Sequence, residues 1–170
     1  MKKILLLMTA ILAIMMVACR PNSDVEPTPT PQPVNPNAEQ TISTSGLFMV
    51  AEGTPGEYSE TDTIALEVLQ GNKANIVLEN VRFNAMMPIK TTLTLSDLDY
   101  TTENKSAANQ YVYHITGTGI IPLYKGAPYT QYTVNDLVFE YDTENQTMRI
   151  SCTFAGSRGD MAVTYEGKKI

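Results

Sequence analysis

Three kinds of side chain in this sequence could do chemistry: the cysteines at 19 and 152, one histidine at 114, and closely spaced acids. Cys19 closes an apolar run from Ile4 to Ala18 that is interrupted by Thr9 and preceded by Lys2 and Lys3. A basic start, an apolar stretch and a small residue before cysteine form a secretory signal ending in a lipobox, Met16-Val17-Ala18-Cys19. The chemistry expected there is thioether attachment of a diacylglycerol to Cys19, cleavage after residue 18, and acylation of the new amino terminus. Three chains at about 0.8 kcal/mol per buried methylene pass the two-signal threshold for stable anchoring. An uncleaved anchor is the alternative, but about fifteen apolar residues fall short of the roughly 20 that span a bilayer.

The remaining groups fit catalysis poorly. His114 is the only histidine, and its alternation with Tyr111, Tyr113 and Ile115 sets it on the outward face if those residues are buried; no serine elbow accompanies it. Cys152 lies mid-strand among apolar neighbours and reads as a small core residue, so neither a metal nor another cofactor is expected. Asp97 with Asp99, and Glu57 with Glu60 and Asp62, could supply oxygens to calcium or act as a glycoside-cleaving pair across a cleft. Neither group has EF-hand spacing, and both read as solvated turn acids. Arg158-Gly159-Asp160 matches an adhesion tripeptide but falls where a hairpin needs glycine.

The chain has 12 Lys and Arg against 18 Asp and Glu, net −6. Removal of residues 1–18 takes Lys2 and Lys3 and leaves a still more acidic body, which argues against nucleic acid as a partner. Residues 19–40 hold six of the ten prolines. Such a stretch cannot bury enough surface to fold and favours extended polyproline II, so it reads as a tether carrying the lipid-modified cysteine. Residues 41–170 are enough for one domain with its own core.

That domain has a period of two. Met148, Ile150, Cys152 and Phe154 alternate with polar residues, as do Ile64, Leu66 and Val68; Leu137, Phe139 and Tyr141; and Met161, Val163 and Tyr165. Each run is a half-buried strand. Turn-forming clusters separate strands expected near 43–52, 62–70, 74–83, 89–98, 110–121, 131–142, 146–155 and 160–168. One short helical turn fits only within 96–109. The expected fold is all-β: a single small antiparallel up-and-down barrel of about eight strands, whose closure removes the sheet edges. A two-sheet sandwich would show the same alternation.

The run Val77-Leu78-Glu79-Asn80-Val81-Arg82-Phe83, continued through Met86-Met87-Pro88-Ile89 to Leu93-Thr94-Leu95, and the closing Val163-Thr164-Tyr165-Glu166-Gly167-Lys168-Lys169-Ile170, resemble the calycin-like β-barrel domain of Bacteroidetes lipoproteins. The resemblance covers about residues 42–170. It implies a calycin or lipocalin-like barrel on a lipid anchor at the bacterial outer membrane, on its periplasmic or its surface face. A ligand at the barrel mouth follows only by analogy of fold. In the same setting Asp62-Thr63-Ile64 fits the acid-hydroxyl-apolar pattern of Bacteroidetes O-glycosylation, with Thr63 as the acceptor.

Nine tyrosines and no tryptophan are the strongest compositional feature. Tyr111 and Tyr113 share one face of a strand, and Tyr141 shares the inner face of the strand after the 124–132 loop. The three could converge beneath that loop and wall a cavity for a sugar or small amphipathic molecule, or simply fill the core. The function expected is therefore a membrane-anchored binding module for a small amphipathic ligand or glycan, not an enzyme. Adhesion or complex assembly through the outer face, with an unspecified protein partner, is the second reading; a hydrolase using the turn acids is the third.

Overall fold

A computed structural model of the 170-residue chain describes residues 35–52, 57–157 and 159–170. The expected signal peptide, Cys19, most of the tether and Arg158 lie outside the described residues. Ten strands follow: β1 Gln40–Glu52, β2 Tyr58–Leu69, β3 Lys73–Val81, β4 Thr91–Asn104, β5 Tyr111–Gly117, β6 Leu123–Tyr124, β7 Ala127–Pro128, β8 Tyr132–Asp142, β9 Thr147–Gly156 and β10 Met161–Lys169. Residues before β1 already join the body, since Glu39 N–H donates to Val68 O and Asn35 Nδ2 to Glu67 Oε2. The 96–109 stretch holds no helix; β4 runs on through it to Asn104.

The eight long strands close an antiparallel barrel. Each pairs with the next long strand in sequence, from β1–β2 round to β9–β10, and β10 returns to β1, so neither side of the sheet is left open. This excludes the sandwich. The two extra strands answer a local need: β4 pairs with β5 only over Tyr100–Asn104, and its first half is left without that neighbour. The β6–β7 hairpin fills the gap, with Leu93 opposite Tyr124 and Thr94 opposite Leu123. Its turn residues Lys125 and Gly126 both have positive φ, the twist that a two-residue hairpin requires.

Period two alone would turn parts of three strands inside out. Apolar residues are inward at Leu78 and then Val81, at Leu95 and then Leu98, and at Val134 and then Leu137, each a step of three. The pairing register shifts within each step, where Asn80, Asp97 and Asp136 have φ of 52°, 57° and 52°. These are bulges. Asn and Asp tolerate the left-handed region, and one extra residue restores the apolar face to the interior.

The barrel axis is filled. Phe48, Phe139 and Phe154 are fully buried, and so, in the same core, are Ile64, Leu66, Leu78, Leu93 and Ile115. An eight-stranded barrel has an interior just wide enough for side chains, and here side chains occupy it. One buried hydroxyl pair interrupts the apolar packing: Thr44 Oγ1 and Tyr165 Oη are 2.9 Å apart, and Thr44 Oγ1 donates to Ile64 O at 3.2 Å.

Cys152 is buried on the inner face of β9, while Arg149 points outward and meets Glu166 at 3.1 Å. Cys152→Ser should lower unfolding stability in urea by about 1–3 kcal/mol, and Arg149→Ser should leave the midpoint nearly unchanged. Equal losses would reverse the assigned faces. Thiol labelling of the folded protein should be slow, because burial pushes the Cys152 thiol up to about 12.

Candidate functional site

The barrel ends differ. One gathers the loop 82–90, the segment 118–131 with its β6–β7 hairpin, and the β9–β10 turn; there a file of rings runs from the surface into the core. Ring centroids are 5.6 Å apart for Tyr124 and Tyr129, 5.7 Å for Tyr129 and Tyr132, and 6.1 Å for Tyr132 and Phe83. Phe83 then meets Phe154 at 4.8 Å and Phe48 at 5.8 Å. Buried phenylalanines thus support half-exposed tyrosines.

Beside these tyrosines lies a groove of about 460 Å³, within the range of small-molecule sites, lined by Asn84, Met87, Tyr129, Gln131, Tyr132 and Ser157 among others. Tyr129 is fixed by its N–H donating to Pro122 O at 2.7 Å and its hydroxyl donating to Gln131 Oε1 at 3.0 Å. Met87 is held by Phe83 N–H, which donates to its sulfur at 3.2 Å. Tyr132 lies over Gly156, where a Cβ would come within 2.9 Å of the ring, so that position must stay small. Among the described residues the lining is uncharged. Flat apolar faces edged by amides and hydroxyls suit a neutral, hydroxyl-rich or amphipathic molecule.

A charged cluster secures one wall. On β2, Tyr58, Glu60 and Asp62 meet Arg82 and Lys90, which bracket the loop carrying Asn84 and Met87. Arg82 lies 3.1 Å and Lys90 3.2 Å from Glu60 Oε2, and Lys90 lies 3.1 Å from Asp62 Oδ1. Burial pushes Glu60 upward, but hydrogen bonds from Tyr58, Arg82 and Lys90 outweigh it and bring the carboxyl down to about 2. Burial prevails at Asp62, against the opposing pull of Lys90, and raises it to about 6. The reading of these acids as solvated turn residues is corrected: Glu57 is exposed, but Asp62 is buried and Glu60 is half-buried. Alternation places Glu60 and Asp62 on the face shared with Ile64 and Leu66, a parity visible in the sequence.

The sequence-derived ligand residues meet elsewhere. Tyr111 and Tyr141 lie 5.2 and 6.4 Å from Tyr113, and Tyr100 joins them at 5.2 Å. They do converge, but not beneath the 124–132 loop. Tyr111 begins β5 and Tyr141 nearly ends β8, at the barrel end away from that loop. Tyr113 and Tyr141 are buried, and their rings close that end by packing.

The other candidates are on the surface. Asp97 and Asp99 are exposed and pair with Lys73. His114 faces outward between Glu103 at 3.5 Å and Glu140 at 3.3 Å. Thr63 is half-buried on the outer side of β2, paired with Ser45 and Glu79. Among the described residues no three His, Cys, Asp or Glu side chains gather as a metal site. Comparison of the chain with protein-family models, with curated proteins and with solved structures finds no match in any of the three.

Proposed function

We propose that this protein is a lipid-anchored lipoprotein of the bacterial outer membrane whose barrel, resembling a calycin-like domain, binds a small uncharged amphipathic ligand or glycan at its aromatic mouth. The observation that carries this reading is the groove beside Tyr129 and Tyr132, whose lining among the described residues has neutral polar edges and a ring-packed floor. Because side chains fill the interior, the ligand would rest on the mouth instead of entering the barrel. β1 begins at the opposite end, so a chain tethered through residues 19–40 would carry the mouth at the end remote from its attachment. A second reading, assembly with a protein partner through the outer face, is favoured by the exposed apolar side chains Leu47, Met49 and Val138, which share one shallow depression.

Titration of the full chain with neutral oligosaccharides and an uncharged amphipathic probe tests the mouth. Tyr129→Ala should weaken binding about tenfold, whereas Tyr113→Ala should lower the melting temperature and leave affinity intact. Absence of binding up to about millimolar ligand, or equal loss of affinity in both variants, would sink the proposal.

A further inference from the structure

The outer wall of the barrel carries two cross-strand rows over β8, β9, β10 and β1. Strand pairing sets Glu140 beside Arg149, Arg149 beside Glu166 and Glu166 beside Leu47 in one row. In the next row it sets Val138 beside Ser151, Ser151 beside Thr164 and Thr164 beside Met49. These side chains face away from the interior, and Leu47 and Val138 are each 48% exposed. In the second row the large apolar residues Val138 and Met49 stand at the flanks, and the short Ser151 and Thr164 at the centre. A barrel wall is convex, and two such walls ordinarily touch along one line. Large flanks around a small centre oppose that curvature and leave the shallow depression that these side chains border. The wall is thereby flattened, as face-to-face packing of two sheets requires.

We infer that this face docks a second copy of the chain, about a two-fold axis running along the strands between β9 and β10. Such an axis exchanges β9 with β10 and β8 with β1 at unchanged height along the strands, so each residue meets the one at the mirrored place in its own row. Arg149 then faces Glu166 of the second copy, and the reciprocal contact gives a second opposite-charge pair. Val138 faces Met49 of the second copy, apolar on apolar at both flanks, while the hydroxyls of Ser151 and Thr164 meet at the centre. Leu47 comes over Glu140, whose carboxylate is turned to His114 at 3.3 Å, and so meets its methylene stem. Moving the axis by one strand spoils the match: between β8 and β9, Val138 would face Ser151, and between β10 and β1, Arg149 would face Thr61. Within one chain Arg149 and Glu166 already stand 3.1 Å apart, but both are exposed, and a pair of that kind holds its members weakly enough for them to bridge to a neighbour. The net charge of −6 on each chain opposes association, yet beyond about 8 Å that repulsion is screened at physiological salt, whereas the paired charges meet in contact.

This inference rests on the outer face being an assembly surface, the second reading above, and it names the partner. Sedimentation of the full chain in a mild detergent should give a species of twice the chain's mass at about 50 µM protein. Arg149→Glu, Glu166→Arg and Val138→Lys should each weaken the association at least about tenfold. All three positions lie on the outer wall, so each variant keeps the barrel. Arg149→Glu and Glu166→Arg mixed in equal amounts should pair again, because each then offers the other the opposite sign at both contacts. A chain that stays monomeric at about 100 µM, or mixed variants that do not recover, overturns the second copy as the occupant and leaves the outer face to be judged on other partners. A dimer that survives both Arg149→Glu and Val138→Lys overturns the face itself.

Discussion

Gly46→Ala should destabilise the barrel by about 3 kcal/mol or more, the upper end of what overpacking costs. Gly46 on β1 faces Gly167 on β10, and a Cβ at Gly46 would collide with the carbonyl of Glu166 and the Cα of Gly167. Those atoms are backbone and cannot rotate away, so the strands would have to separate where the barrel closes. Gly71→Ala provides the contrast: that glycine has φ of 72° with open space around it, and the change should cost about 1 kcal/mol through backbone strain alone. Denaturant unfolding of both variants measures the difference. Comparable losses would mean that close strand approach at Gly46 contributes nothing beyond ordinary glycine effects.

Asp62→Asn should raise stability at pH 7 by about 1–2 kcal/mol, although it removes a charge that touches Lys90. Folded Asp62 keeps its proton to about 6, while an unfolded aspartate loses it near 3.8. The folded state therefore binds more protons between those values, and stability falls as pH rises through that window. Glu60 acts the other way: its folded value of about 2 lies below its ordinary 4.5, so its contribution is gained as pH rises from about 2 to 4.5 and persists above. The natural protein should be most stable near about pH 4–5 and decline toward neutrality. An asparagine side chain in place of Asp62 can donate to Glu60 and accept from Lys90, as the protonated acid does, so the decline should vanish. Thermal melts across pH decide the matter; a D62N variant less stable than the natural chain at pH 7 would show that the Lys90 pair outweighs burial.

Much of the architecture was legible because a sheet with one buried face writes itself as alternation. Ile150, Cys152 and Phe154 are buried as their spacing demands, and so are Ile64, Leu66 and Val68. Asn80, Asp97 and Asp136 were harder to read, since a polar residue inside a strand pattern resembles a turn signal as much as a bulge. The β6–β7 hairpin was read as a loop: two-residue strands are too short to show a period, and they pair only because β4 loses β5 as a neighbour there.

The candidate site divides along the same line. Tyr111, Tyr113 and Tyr141 could be grouped from the sequence because β5 and β8 are consecutive long strands, and neighbouring strands on one face bring their rings together. The mouth joins Phe83, Tyr129, Tyr132 and Phe154 from separate connections and strands, with no local pattern linking them. The sequence by itself determined the all-β class, the eight long strands and the inward set of residues on most of them, because these depend on alternation between near neighbours. Tertiary structure alone decided which rings share an end, that side chains fill the axis, and that Lys90 is the cation set against Asp62. Those outcomes depend on closure: only when β10 meets β1 does one face of every strand become an interior, with two ends and a fixed volume to fill.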